Sequence, residues 1–184
     1  MGAPKQLLSL DGETTLLGHA LAVAARSRLG EVVVVLSPPV FEQLDLSAHP
    51  SVVPVLNRVP EQGQSHSLRL GLAAVSPEAV GALILLCDQP GVTTRLIDFL
   101  IAEFEREPCG ALVPTYGGKR STPVLLGRTF CSLVDTLSGD TGARRLLDAY
   151  PELVREIEAG HLGAPEDIDT PEQYERLVAR SGAR

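Results

Sequence analysis

The sequence predicts one α/β domain, with helices on both faces of a mostly parallel sheet. Three observations predict it. Val32–Leu36 and Ala82–Cys87 are continuous apolar runs, and such runs suit strands covered on both faces, since a half-exposed strand alternates apolar with polar residues. The segments between the runs carry apolar residues at helical spacing, so helix and strand alternate, the pattern of a three-layer parallel sheet. The chain has 184 residues, 44% of them apolar, enough for one sizeable core and few for two. The domain is expected to span residues 1–180, with a frayed tail at 181–184.

Each element follows from local chemistry. Leu16, Leu17, Ala20, Leu21 and Ala24 form a helical stripe within Thr14–Arg28, and Gly30 can end that helix. The β-branched run Val32–Leu36 is expected to be a central strand. Ser51–Leu56 reads as a short strand, Ser65–Val75 as a helix, and Ala82–Cys87 as a second buried strand. Thr93 or Thr94 can cap a helix reaching Glu105, ahead of a strand at Ala111–Pro114. Thr170-Pro171-Glu172-Gln173 has the cap, the first-turn proline and the return-bonding Gln of a helix start. Met1–Leu8 reads as a loop leading to a helix, with no strand ahead of it, whereas a sheet of this kind normally begins with a strand.

Composition narrows the function. A net charge of −7 argues against a nucleic-acid partner, because that affinity comes from Lys and Arg neutralising phosphates. A nucleotide remains compatible, since a few local cations and a metal can offset a triphosphate. No apolar run approaches the ~20 residues that cross a bilayer, and the N-terminus lacks a secretion pattern, so the expected location is the cytoplasm, away from membranes. Cys87, Cys109 and Cys131 lack metal or redox spacing and read as small core residues.

In such sheets ligands bind beyond the carboxyl ends of the strands. Asp88 follows the run Ala82–Cys87 and precedes Gln89-Pro90. It reads either as a magnesium ligand or as a turn or cap residue. Gly63-Gln64-Ser65-His66-Ser67 lies between a strand and a helix, where a glycine and a helix N-terminus can approach a base or phosphate, or simply start a helix. His66 reads more simply as a surface histidine. Gly139-Asp140-Thr141-Gly142-Ala143-Arg144 is a second glycine-spaced helix start. There Arg144 can fork onto phosphate and Asp140 can accept from a ligand, or the segment is only a cap. Lys5 is a phosphate contact or a solvated charge. Asp167 and Asp169 can reach a metal, with turn or cap as the simpler role for Asp169.

Five segments in this order resemble the MobA-like nucleotidyltransferases, especially the molybdenum cofactor cytidylyltransferase branch. They are Gly-Gln-Ser-His-Ser-Leu-Arg-Leu-Gly (63–71), Leu-Cys-Asp-Gln-Pro (86–90), Pro-Val-Leu-Leu-Gly-Arg (123–128), Gly-Asp-Thr-Gly-Ala-Arg (139–144) and Asp-Ile-Asp-Thr-Pro-Glu (167–172). The resemblance implies a Rossmann-like α/β/α domain that moves CMP from CTP to a phosphate of molybdopterin, with Mg²⁺, and releases pyrophosphate. Lys5 and Asp88 become the catalytic pair. Lys5, Gly63, Gln64, Ser65 and Ser67 become nucleotide contacts, Asp140, Gly142 and Arg144 acceptor contacts, and Asp88 with Asp167 metal contacts. A molybdoenzyme or its chaperone is the implied recipient.

Family members open with a strand and a loop of the form LAAGxSxRMGxPKxLL, which this sequence resembles only from Met1-Gly2-Ala3-Pro4-Lys5 onward. The first strand and most of that loop are therefore expected to be absent, through a start codon assigned late or a truncated gene, the former favoured. Ser121-Thr122 before Pro123 also departs from the family pattern. The alternatives are a guanylyltransferase using GTP, a transferase of this fold with another acceptor, and a non-catalytic carrier of the cofactor.

Overall fold

The structure, a computed structural model, describes residues 4–47, 49–136 and 142–181. Its elements in order are α1 (Leu16–Ala25), β1 (Val32–Leu36), α2 (Pro38–Phe41), β2 (Val52–Leu56), α3 (Gln64–Ala74), β3 (Gly81–Ile84), α4 (Thr94–Arg106), β4 (Ala111–Tyr116), β5 (Lys119–Arg120), β6 (Val124–Gly127), α5 (Arg128–Cys131), α6 (Arg144–Ala149), β7 (Val154–Glu158) and α7 (Pro171–Ser181). Caps set three helix starts. Thr15 accepts from the Gly18 N–H at 3.0 Å and Thr93 from the Leu96 N–H at 3.2 Å. At α7 the Gln173 N–H reaches Thr170 Oγ1 at 3.3 Å, while Gln173 Oε1 accepts from the Asp169 and Thr170 N–H groups at 2.7 and 2.8 Å. Helix α7 continues through Ser181; the rest of the expected frayed tail, 182–184, lies outside the described residues.

The three-layer architecture is as expected, and the pairing is more mixed. β1 and β2 pair in parallel, as do β4 and β7. β6 lies between β3 and β4 and runs antiparallel to both. β5 is the return strand of a tight hairpin on β4. Its two-residue turn, Gly117-Gly118, has φ of 58° and 78°, values that glycine takes at no steric cost and that match the twist of a hairpin. Helix crossovers favour parallel pairs, whereas β6 follows the β4–β5 hairpin after a few residues and so returns antiparallel.

Expected as a central strand, β1 instead pairs on one edge only, with β2. Among the described residues no strand joins β1 to β3, so the sheet falls into a two-stranded and a five-stranded part. Helices bridge the break. α3 packs on β1, its Gly71 so close to Val35 that an added Cβ would lie 3.2 Å from Val35 Cγ2, while its Leu68 and Leu72 join a core that includes Ile84. On the other face Leu17 and Leu21 of α1 pack with Leu36, Val52 and Cys87, and Val23 packs with Leu83 and Leu85. Val32–Val35 accordingly stay half-buried rather than fully covered.

The five-stranded part separates two cores, because strand side chains alternate between faces. Leu112 and Leu125 meet Leu96, Ile97, Leu100 and Phe104 of α4. Ala111, Val113, Val124 and Leu126 meet Phe130, Leu146 and Leu147 on the opposite side. A smaller cluster of Leu10, Leu16 and Ile168, flanked by Tyr174 and Leu177, docks α7 against the start of the chain. Tyr174 Oη donates to the Ser9 carbonyl in the same joint. This joint positions the candidate site, because it brings residues 167–170 to Lys5. Among the described residues no helix is long and apolar enough to cross a membrane.

Candidate active site

The chain runs on from β3 through Leu85 and Leu86 to Asp88, where the Asp88 carbonyl accepts the Ile168 N–H at 3.0 Å. Lys5 opens a single helical turn, Lys5–Leu7. Its Nζ donates to Asp88 Oδ2 at 3.1 Å and to Asp169 Oδ1 at 2.9 Å. Two carboxylates thus converge on one ammonium at the carboxyl end of a strand. Burial disfavours the charge on Lys5, and the bonds from Asp169 and Asp88 more than reverse this, holding its pKa above the ordinary 10.5. Burial, with the Asp88 charge adding, pushes the neighbouring Cys87 thiol up to about 11, so it stays protonated near neutral pH and is no nucleophile. All three cysteines are free, half-buried and packed in or beside the cores, as expected of small core residues.

Asp167, the expected second metal contact, takes a different partner. Its Oδ1 accepts from Gln89 Nε2 at 2.6 Å, and the carboxylate that shares Lys5 with Asp88 is Asp169. The α7 start is capped by Thr170 and Gln173, which leaves the Asp169 side chain for the ion pair. Among the described residues no group of three or more His, Cys, Asp or Glu side chains gathers as a metal cage. The donor set here is instead a pair of carboxylates, which suits a hard cation that completes its shell with phosphate and water.

Gly63 caps α3 with φ of 85°, and its carbonyl accepts the His66 N–H at 3.2 Å; the N-terminus of a helix is a favourable place for an anion. Ser65 just inside is fully buried, and its hydroxyl has no partner among the described residues. Ser67 Oγ accepts from Asn57 Nδ2 at 3.0 Å, and Asn57 Oδ1 accepts the Val59 N–H at 3.0 Å. Asn57, only 1% exposed, shapes this loop and was missed by sequence reasoning; its signal is an amide directly after the β2 run Val52–Leu56. The Gln64 side chain lies against Gly142, where any Cβ would collide with Gln64 Oε1. The absence of a side chain at 142 gives the Gln64 amide its place against the backbone there. Arg144 is exposed at the start of α6, while Gly139, Asp140 and Thr141 lie outside the described residues.

Residues 1–154 match the MobA-like NTP transferase domain. The chain belongs to that family. Purine catabolism protein PucB of Bacillus subtilis is 34% identical to this MobA-like transferase over 188 residues, across 96% of the chain and 89% of the relative. The crystal structure of the Rv0371c homologue of Mycobacterium sp. strain JC1 superposes with a TM-score of 0.81 at 34% identity, covering 98% of this chain and 89% of that one. Rv0371c of Mycobacterium tuberculosis H37Rv, solved in complex with manganese, gives a TM-score of 0.79 at 30% identity, with 97% and 93% covered. The fold is the Rossmann-like nucleotidyltransferase fold, and the protein is a nucleotidyltransferase.

Proposed function

We propose that this MobA-like transferase moves CMP from CTP to the phosphate of a molybdopterin-type acceptor in the cytoplasm, with a divalent metal, Mg²⁺, held by Asp88 and Asp169. The observation that carries the reading is the convergence of both carboxylates on Lys5 beyond β3. The residues fit a metal: the cluster sets two negative charges against one positive and has room in its charge balance for a second cation. Bound there, the ion would offset charge on the triphosphate and the departing pyrophosphate. CTP and the molybdopterin acceptor rest on the five motifs, and a molybdoenzyme or its chaperone is the natural recipient of the product.

The protein's own groups align the reactants rather than attack them. An acceptor phosphate oxygen bonds to the α-phosphorus of the NTP in line with the bond to the β-phosphate oxygen, which breaks, and pyrophosphate carries that electron pair away. Lys5 exchanges a carboxylate for a phosphate oxygen as the triphosphate arrives. The N-terminal end of α3 receives the nucleotide, and Gly142, which touches the Gln64 side chain, and Arg144 meet the acceptor beside it. Asp140 stays a proposed acceptor contact.

Pyrophosphate release by the full chain, supplied with each of the four NTPs and molybdopterin, tests this. Release is expected to be fastest with CTP and to require divalent metal. Asp88→Asn and Asp169→Asn each lower it a hundredfold or more, on the order of 3 kcal/mol, while Asp167→Asn, which keeps an oxygen facing Gln89, lowers it less. Faster release from GTP overturns the base assignment, and no metal-dependent affinity for any NTP overturns the reading.

A further inference from the structure

Gln89 is 5% exposed and uses both ends of its amide. Its Nε2 donates to Asp167 Oδ1 at 2.6 Å, and its Oε1 accepts from Thr122 Oγ1. Three pieces of chain meet at this amide: the run from β3, the residues just before β6 and the approach to α7. The adjacent Ile168 N–H bond to the Asp88 carbonyl at 3.0 Å closes the joint, and Ile168 itself is buried in the core that docks α7.

We propose that Gln89 is a positioning residue for the cation site: by gripping Asp167 it fixes the spacing between Asp88 and Asp169. This rests on the reading that those two carboxylates hold the metal. Asp88 precedes Gln89 in the chain, and Asp169 lies two residues beyond Asp167. The Asp169 backbone is thus held on one side by the Gln89–Asp167 bond and on the other by its N–H bond to Gln173 Oε1 at 2.7 Å. An amide is the group this joint needs. It donates to a carboxylate and accepts from a hydroxyl without adding charge, whereas a carboxylate at 89 would face Asp167 with like charge. Partners that orient metal ligands typically contribute about 10–100-fold to metal affinity.

The test is Mn²⁺ binding to the full chain, followed by loss of the free-ion electron paramagnetic resonance signal, with thermal melting measured in parallel. Gln89→Leu is expected to weaken Mn²⁺ about tenfold and Thr122→Val about threefold, fractions of the range quoted for such partners. Thr122→Ser, which keeps the hydroxyl, stays within about twofold of the parent. A merely structural amide predicts lower melting temperatures with an unchanged Mn²⁺ constant, and that result overturns the proposal. Should Gln89→Leu fail to fold, an unchanged constant in Thr122→Val overturns it equally. A parent chain that binds no Mn²⁺ sinks the metal reading and this inference with it; a parent that binds Mn²⁺ as tightly as both variants sinks only the inference.

Discussion

Lys5→Met should make the nucleotide-free chain bind metal more tightly while making it a poorer enzyme. Methionine keeps an apolar stem of similar reach and removes the charge. In the parent, Lys5 Nζ sits 3.1 Å from Asp88 and 2.9 Å from Asp169, so an arriving cation competes with a tethered one. The side chains of Lys5 and Asp88 are about one quarter exposed, and that of Asp169 is 67% exposed. Water therefore screens these pairs, and together they are worth about 1 kcal/mol. Removing that competition should tighten Mn²⁺ binding about fivefold. Turnover moves the other way, because a charge-assisted bond to phosphate contributes about 2 kcal/mol, or roughly thirtyfold in kcat/KM. Mn²⁺ titration without nucleotide and steady-state pyrophosphate release measure the two effects. If Mn²⁺ binds Lys5→Met no better than the parent, Lys5 does not occupy the cation site and the reasoning fails.

Two further outcomes test the fold. Ile97 is fully buried in the α4 core, so Ile97→Ala should cost about 3 kcal/mol and lower the melting temperature by roughly 10 °C; a loss below about 1 kcal/mol would contradict the packing of α4 on the sheet. The Gly160 N–H, with help from the Thr115 hydroxyl and the Gly117 N–H, holds Glu158 below its ordinary carboxylate pKa of 4.5. A depressed carboxylate contributes stability above its unfolded pKa and loses it as pH falls through the folded one. The melting difference between parent and Glu158→Gln should therefore be present at pH 7 and shrink below pH 4.5, and a pH-independent difference would refute the assignment.

Much of the scaffold was readable because local chemistry fixed it. The run Val32–Leu36 forms a strand with those bounds, and Thr93 and Thr170 cap helices where the sequence offered them. Lys5 and Asp88, 83 positions apart, do meet. What stayed hidden depends on partners distant in sequence. β7, Val-Arg-Glu-Ile-Glu, is too charged to announce a strand, and its parallel pairing with β4 supplies the reason it is one. The antiparallel position of β6 is likewise a property of its neighbours and not of its apolar run. In the site, that Asp169 meets Lys5 while Asp167 meets Gln89 depends on side-chain directions that no spacing rule conveys. The polar loop at 63–67 was visible, but the inward turn of Ser65 and the Asn57 bond to Ser67 required the tertiary fold.

The break between β1 and β3 bears on how the protein behaves in a tube. Among the described residues, β1 (Val-Val-Val-Val-Leu) and β3 (Gly-Ala-Leu-Ile) each have a side on which they form no ladder, and such sides are templates that a neighbouring molecule can extend. Mutual repulsion from a net charge of −7 keeps molecules apart in dilute buffer. Salt at about 1 M shortens that repulsion to roughly 3 Å, so concentrated, high-salt samples are where one chain would begin to stick to the next.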